Sequence, residues 1–418
     1  MSIFWSGTIV KIDPSHLEVC GITGQIGSIM LIDAKIKLIE AEIIAIEDKK
    51  IILMPYDGVY GLEVGMKVYY KNTFNCIFPC NQWLGRTLNG KAEPVDNLGE
   101  AEQGLKAYDV FAKPSLGISR ARISKHLNTG IKVIDLFIPC SIGQRLAIFA
   151  GSGVGKSTLL GQLAYSDCDV IVVGLIGERG REVREFLEDI LGKNLSKAVV
   201  IVETSDSSAL MRRRAAYTTL TVAEYFRDQG KHVLCMIDSL TRVAFAQREI
   251  GLIAGENIST NGYPPSIYNV LSNILERAGP GVNNGFITGI FTVLVESDNL
   301  LNLEVDIIRS VLDGHIVLSR RLAEQGHFPA IDPLKSLSHI PALKPAEQFL
   351  VTEARKLIEV YTSDVEDLVR IGAYKKGGDA LADKAVATWP KLEKFLQQNM
   401  HERYSIAESL KLLKEALS

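Results

Sequence analysis

The residues with the strongest claim to chemistry are AGSGVGKS, at positions 150 to 157. They fit the pattern [AG]-x4-G-K-[ST]. An apolar run, RLAIF, precedes them and a helical run, STLLGQL, follows, which is the context in which this pattern wraps a phosphate. Gly151, Gly153 and Gly155 leave room for backbone N–H groups to surround an anion, with Ser152 and Val154 completing the loop. The helix that opens behind them, at Lys156, Ser157 and Thr158, adds the positive end of its dipole. Lys156 has the reach for the β- and γ-phosphates, and Ser157 presents a hydroxyl suited to Mg²⁺. The ligands implied are ATP and Mg²⁺.

Two acidic positions could complete such a site. Asp238 ends the apolar run VLCMID, and an acid at the carboxyl end of a neighbouring strand is where a phosphate-loop fold orders the water shell of magnesium. Taken alone, an Asp-Ser pair also fits as a helix cap. Glu178 follows the run VIVVGLI, in GERGRE, where a carboxylate could polarise a water for attack on the γ-phosphate. Arg179 and Arg181 beside it could neutralise phosphate charge, although the same six residues also fit a solvated charged turn.

Three kinds of patterning must position these residues. Residues 1 to 72 read as six short strands with apolar residues at alternate positions, without a helix, which suggests a small β-barrel. Residues 73 to 345 alternate continuous apolar runs with helical stretches, the pattern of a parallel sheet covered on both faces. Residues 346 to 418 read as mostly helical; EQFLVTEARKLIEVYTSDVEDLVRIG and PKLEKFLQQNMHERYSIAESLKLLKEAL both carry helical apolar spacing, with a Gly-rich break at KKGGD between them. The expected architecture is therefore multidomain α/β. It has an N-terminal β-barrel, a central parallel sheet with a phosphate loop, and a C-terminal helical domain.

Composition narrows the function classes. At 418 residues the chain is too long for one simple core. A net charge of −3 gives no general attraction to nucleic acid. No apolar run approaches the roughly 18 residues of a membrane span, and the start, MSIFWSGTIVKID, lacks the pattern of a secretory signal. The six cysteines are scattered, and the C-x3-C of Cys76 and Cys80 has no second pair, so buried, reduced thiols in a cytosolic protein are expected rather than a zinc site.

The three chemical pieces, taken with FAGSGVGKST, GERGREVREF, TSDSSALMRRRAAYTTLTVAEYFRDQGKHVLCMIDSLTR, AQREIGLIAGE, GYPPSIY and RSVLDGHIVLSRRLAEQGHFPAID, resemble the catalytic subunits of the rotary ATPase superfamily. Within it the sequence is most like the ATPase of flagellar and type III protein export, and the likeness covers nearly the whole chain. WLGRTLNGKAEPVDNLG is similar to the strand pair that precedes the core in that family. The resemblance implies that the central sheet is a RecA-like core between the barrel and the helical domain, in a homohexamer with ATP at the subunit interfaces, driving export of unfolded substrates. It implies a cytoplasmic ATPase peripheral to the inner membrane at the export gate. Its partners would be stator and stalk proteins, export substrates and their chaperones. Lys156 and Ser157 would bind phosphate and Mg²⁺, Glu178 would activate water, Arg179 would assist at phosphate, and Asp238 would order the metal.

The segment FPAIDPLKSLSHIP, at 328 to 341, carries a likeness and a departure. In the family an aromatic before this proline stacks on adenine, and Phe328 keeps the π-face such a role needs. The family then places an arginine after Ser-x-Ser that reaches the neighbouring subunit's site. Here that position is His339, shorter than arginine and without its permanent charge. Lys335, Lys344 and Arg321 are candidates to compensate. The acidic stretch VESDN lacks the family's Asp-Asp, and the chain begins almost at its first strand, where relatives often carry a stator-docking segment. The other readings are a nucleotide-binding assembly platform with weak hydrolysis, a rotary synthase subunit, and a nucleic-acid translocase such as the termination factor Rho. The last predicts a basic barrel, whereas this one carries Glu18, Asp33, Glu40, Glu42, Glu47 and Asp48 and no basic stripe.

Overall fold

The computed structural model describes residues 6–71, 75–115, 120–123, 125–259, 262–295, 303–340 and 343–418. Ser6–Ile12, Leu17–Cys20, Ile29–Asp33, Leu38–Glu47, Lys50–Pro55 and Lys67–Tyr70 close into one six-stranded antiparallel barrel. Alternate residues turn inward, so Ile9, Leu17, Val19, Met30, Ile32, Ile43, Leu53 and Val68 are wholly buried. Of the six barrel acids Asp33, Glu47 and Asp48 are exposed, and the other three are paired. Glu18 pairs with Lys11 and Lys50, Glu40 with Lys71 and Lys91, and Glu42 is buried, taking Tyr56 and Arg213.

The centre is a nine-stranded sheet. Its main path runs Leu337–Ser338, Gly314–Val317, Arg145–Ala150, Phe286–Leu294, His232–Asp238, Val170–Glu178, Ala198–Thr204 and Thr87–Leu88. The six inner strands are parallel, and the continuous runs of Val, Ile and Leu in the longer ones follow from burial on both faces. One face packs on Ala209–Asp228 and Leu240–Ile253; the other packs on Lys156–Leu163, Lys132–Phe137 and the C-terminal helices. Apolar contact also ties barrel to core, where Ile44, Ile52, Met54 and Tyr56 meet Ala209, Leu210, Ala246 and Ile250.

WLGRTLNGKAEPVDNLG pairs with itself over a short turn only, the Val95 amide donating to the Thr87 carbonyl and the Asn89 amide to the Glu93 carbonyl. Thr87–Leu88 also joins the edge of the main sheet beside Val200 and Ile201, with a single bridge from Leu88 to Pro94. Three sequence expectations need correction. The helical spacing of the last thirty or so residues is not one continuous helix. Ala380–Leu396 stops, nine residues run without helix, and Ile406–Leu417 begins at a capping box of Ser405 and Glu408. The stop has a tertiary cause. The Gln398 amide donates to the carbonyls of Gly130 and Glu402 and accepts from the Lys132 amide, which fastens this segment to the loop ahead of Lys132–Phe137. The thiols are only half buried as a set: Cys80, Cys140 and Cys235 are buried, whereas Cys20, Cys76 and Cys168 are partly exposed. Finally, Arg181 points outward, 86% exposed and paired with Glu185 rather than turned toward a phosphate. The junction at 72 and 73 and the acidic stretch from 296 to 299 lie outside the described residues.

Candidate nucleotide site at the carboxyl edge of the sheet

The strand Arg145–Ala150 runs into the glycine loop, and Gly153 and Gly155 both adopt left-handed backbone, at φ 77° and 91°. A side chain at either would be strained. Gly155 caps the helix Lys156–Leu163. Val154 turns the other way and is 2% exposed in the core, so it anchors the loop from below and has only its backbone to offer a ligand.

The loop opens on a cleft of about 450 Å³ lined by Ser152, Lys156, Ser157, Thr158, Glu178 and Arg179, with Glu182 and Arg242 beyond them. Glu178 reaches it because the pairing of Val170–Glu178 with Ala198–Thr204 slips between Ile176 and Glu178. The slip re-aims the side chain at the strand end, as bulges do. Gly177, at φ 73°, makes it possible; a Cβ there would meet Arg242 Cγ at 2.7 Å.

Lys156 is the hub. Its ammonium lies 3.5 Å from Glu178 Oε1 and makes a shorter contact with Asp238 Oδ1. Burial opposes its charge, but Asp238 and Glu178 outweigh burial and raise its pKa above the usual lysine value. Glu178 is pushed up to about 7, first by burial, with Asp238 and the hydrogen bond its protonated carboxyl donates to Glu182 adding to it and Lys156 opposing. Asp238 does not line the cleft; at 2% exposed it lies behind Lys156. The donor set is a serine hydroxyl with carboxylates nearby. Oxygen ligands of this kind suit a hard cation, so the residues fit Mg²⁺.

A second cleft, of about 610 Å³, adjoins the first and shares Gly155 and Thr158 with it. Phe328 lies on one wall, 47% exposed, its ring 3.6 Å from where a Cβ on Gly155 would be. The other wall is the non-helical segment from Gln397 to Tyr404, close to Lys132 and Gln162. An aromatic face one loop away from the phosphate cleft is the arrangement a nucleoside diphosphate or triphosphate requires. His339 lines neither cleft. It is exposed just beyond the edge strand Leu337–Ser338, its amide donating to the Asp313 carbonyl. Of the three cations near it in sequence, Arg321 pairs with Glu366 and Lys335 faces Asp332 at 3.7 Å.

Sequence reasoning missed Arg242, Glu182 and the segment 397–404. Arg242 comes four residues after Asp238, one helical turn on, a spacing that could have marked it. Its Nε is buried with no hydrogen-bond partner among the described residues. Glu182 likewise follows Glu178 by four. Nothing in the local pattern of 397–404 marks its place, since tertiary contacts create it.

Known proteins bear on this geometry directly. Residues 130–338 match the ATP synthase alpha/beta family, nucleotide-binding domain. The chain belongs to that family. Membership carries an ATPase assignment, as the motifs implied. Residues 343–415 match the T3SS EscN ATPase C-terminal domain. The flagellum-specific ATP synthase of Caulobacter vibrioides is 45% identical over 391 residues, covering 91% of this chain and 88% of that protein. The assembled ATPase EscN from the enteropathogenic E. coli type III secretion system is 41% identical with a TM-score of 0.93, over 99% of this chain and all of that one. EscN in complex with its central stalk EscO gives 40% identity and a TM-score of 0.89, with 99% and 100% covered. Barrel, sheet and helical region are thus the family architecture. Among the described residues no helix is long and apolar enough to cross a membrane.

Glu178 carries a stability prediction. Its proton is held to about pH 7 in the folded chain against an ordinary value of 4.5, so between these the folded state binds more protons. The stability from that proton is full below the lower value and is lost as pH rises through the higher. Glu178→Gln removes the slope. The melting-temperature difference, variant minus wild type, should grow from about pH 5 to about pH 7.5; a constant difference contradicts the placement.

Proposed function

We propose that this chain is the ATP-hydrolysing motor of a flagellar or type III protein-export apparatus, working as a homohexamer with nucleotide at the subunit interfaces. The observation that carries the proposal is the convergence of Lys156, Glu178, Asp238 and Arg179 at one glycine loop. The names of the relatives supply the export setting. We divide the chain at residues 72 and 345 into barrel, motor core and helical domain.

Each residue has a task in that reading. The glycine loop and Lys156 hold the β- and γ-phosphates. Ser157 and Asp238 would hold Mg²⁺, which when bound would neutralise negative charge on the phosphate oxygens. Glu178 accepts the proton of the attacking water, and a pKa of about 7 suits a base working near neutral pH. Arg179 balances phosphate charge, and Phe328 stacks on adenine. His339 lies at an exposed edge, away from its own chain's clefts, a placement suited to reaching the neighbouring subunit. The helical domain would meet a stalk protein, as in the EscN–EscO complex. Stator proteins, chaperones, export substrates and a position at the inner-membrane export gate complete the setting, and nucleic acid is not a partner.

Hydrolysis measured against protein concentration tests the assembly, with Lys156→Ala as blank. Activity should rise more than linearly, because sites built at interfaces need neighbours. A strictly linear dependence, or activity surviving in the blank, overturns the reading. Glu178→Gln should lower kcat by about 100-fold or more with nucleotide binding kept. His339→Arg decides between motor and weakly hydrolysing platform. A rise of about tenfold or more, roughly 1.4 kcal/mol of barrier, marks His339 as a weakened finger, and no change removes it from the site.

A further inference from the structure

Thr292 is buried completely within the strand Phe286–Leu294, between the strand that feeds the glycine loop and the strand that ends in Asp238. Its neighbours Phe291 and Val293 are apolar and equally buried, so a hydroxyl here is costly unless paired. It is paired: Thr292 Oγ1 donates to Asp238 Oδ1 at 2.6 Å. The other acceptor in reach, the Ile237 carbonyl, is at 3.5 Å. One hydroxyl proton serves one acceptor well, and the short distance to a carboxylate is that of a charge-assisted bond.

The same oxygen, Oδ1, also takes the Lys156 ammonium. Among the described residues Oδ2 takes no hydrogen bond. Two donors on one oxygen fix the carboxylate's rotation and reserve the second oxygen. Lys156, however, cannot hold Asp238 and a phosphate group equally. When phosphate draws the ammonium away, Thr292 is the donor that remains.

Resting on the nucleotide reading above, we infer that Thr292 is a positioning residue. It holds Asp238 in its metal-ready orientation while Lys156 transfers to phosphate. The hydroxyl touches neither nucleotide nor metal and acts only through the aspartate.

The test is binding of a fluorescent ATP analogue, titrated with Mg²⁺ and repeated in EDTA, for wild type, Thr292→Val and Thr292→Ser. Valine has the shape of threonine and suits an apolar interior, so the fold is kept; melting temperature verifies this. Thr292→Val should raise the Mg²⁺ concentration for half-effect by about tenfold, the worth of one hydrogen bond to a charged group. Its affinity in EDTA should stay within about twofold of wild type, because the phosphate cradle is intact. Thr292→Ser should restore the Mg²⁺ response. Equal losses with and without Mg²⁺, a valine variant that titrates like wild type, or a folded serine variant without rescue would each overturn the inference. Wild type that binds nucleotide identically with and without Mg²⁺ would overturn the metal reading itself.

Discussion

One ammonium group, that of Lys156, is shared between two carboxylates in a part of the molecule where charges are expensive. Asp238 is shut away from solvent behind it and Glu178 is half-buried beside it. Neither acid would tolerate its surroundings without the cation, and the cation would not tolerate burial without them. The result is a cluster at the mouth of a glycine loop in which one cation offsets two acids, ready to be rearranged by any anion that competes for the lysine. Phosphate is such an anion.

The rest of the fold serves to hold these groups at one edge. Three strand ends of one sheet deliver the loop, Asp238 and Glu178, and the strand Phe286–Leu294, between the first two, brings the Thr292 hydroxyl to Asp238. Gly177 gives Glu178 its aim by allowing the slip in strand pairing and the close approach of Arg242. The barrel touches none of this. It is fastened to the core by apolar contact and by the buried Glu42–Arg213 pair, on the far side of Ala209–Asp228. The helical region, in contrast, forms a wall of the second cleft through Gln397 to Tyr404.

Much of this was legible in the sequence because the physics is local. Alternation gave the barrel, continuous apolar runs gave the parallel sheet, and the glycine loop carried its own context in the strand before and the helix after. Asp238 and Glu178 were found because strand ends are predictable. What escaped depends on contacts between distant segments. The helical spacing around Gln397 persists while Gln398 is pulled into bonds with Gly130 and Lys132, some 265 residues away. The outward turn of Arg181 follows from helix phase, which places it beside Glu185. Thr292 reads as an ordinary strand residue until Asp238 is seen across from it.

The central claim, that Lys156 leaves its carboxylates for phosphate, has a direct consequence for protons. Losing the ammonium removes what holds the pKa of Glu178 down, so Glu178 takes up protons near neutral pH. Calorimetric titration with ADP in the absence of Mg²⁺, at about pH 7.5 in two buffers of different ionisation heat, measures that exchange. Wild type should take up a fraction of a proton more than Glu178→Gln. Identical proton exchange in the two proteins, with both binding ADP, would show that Lys156 stays where it is.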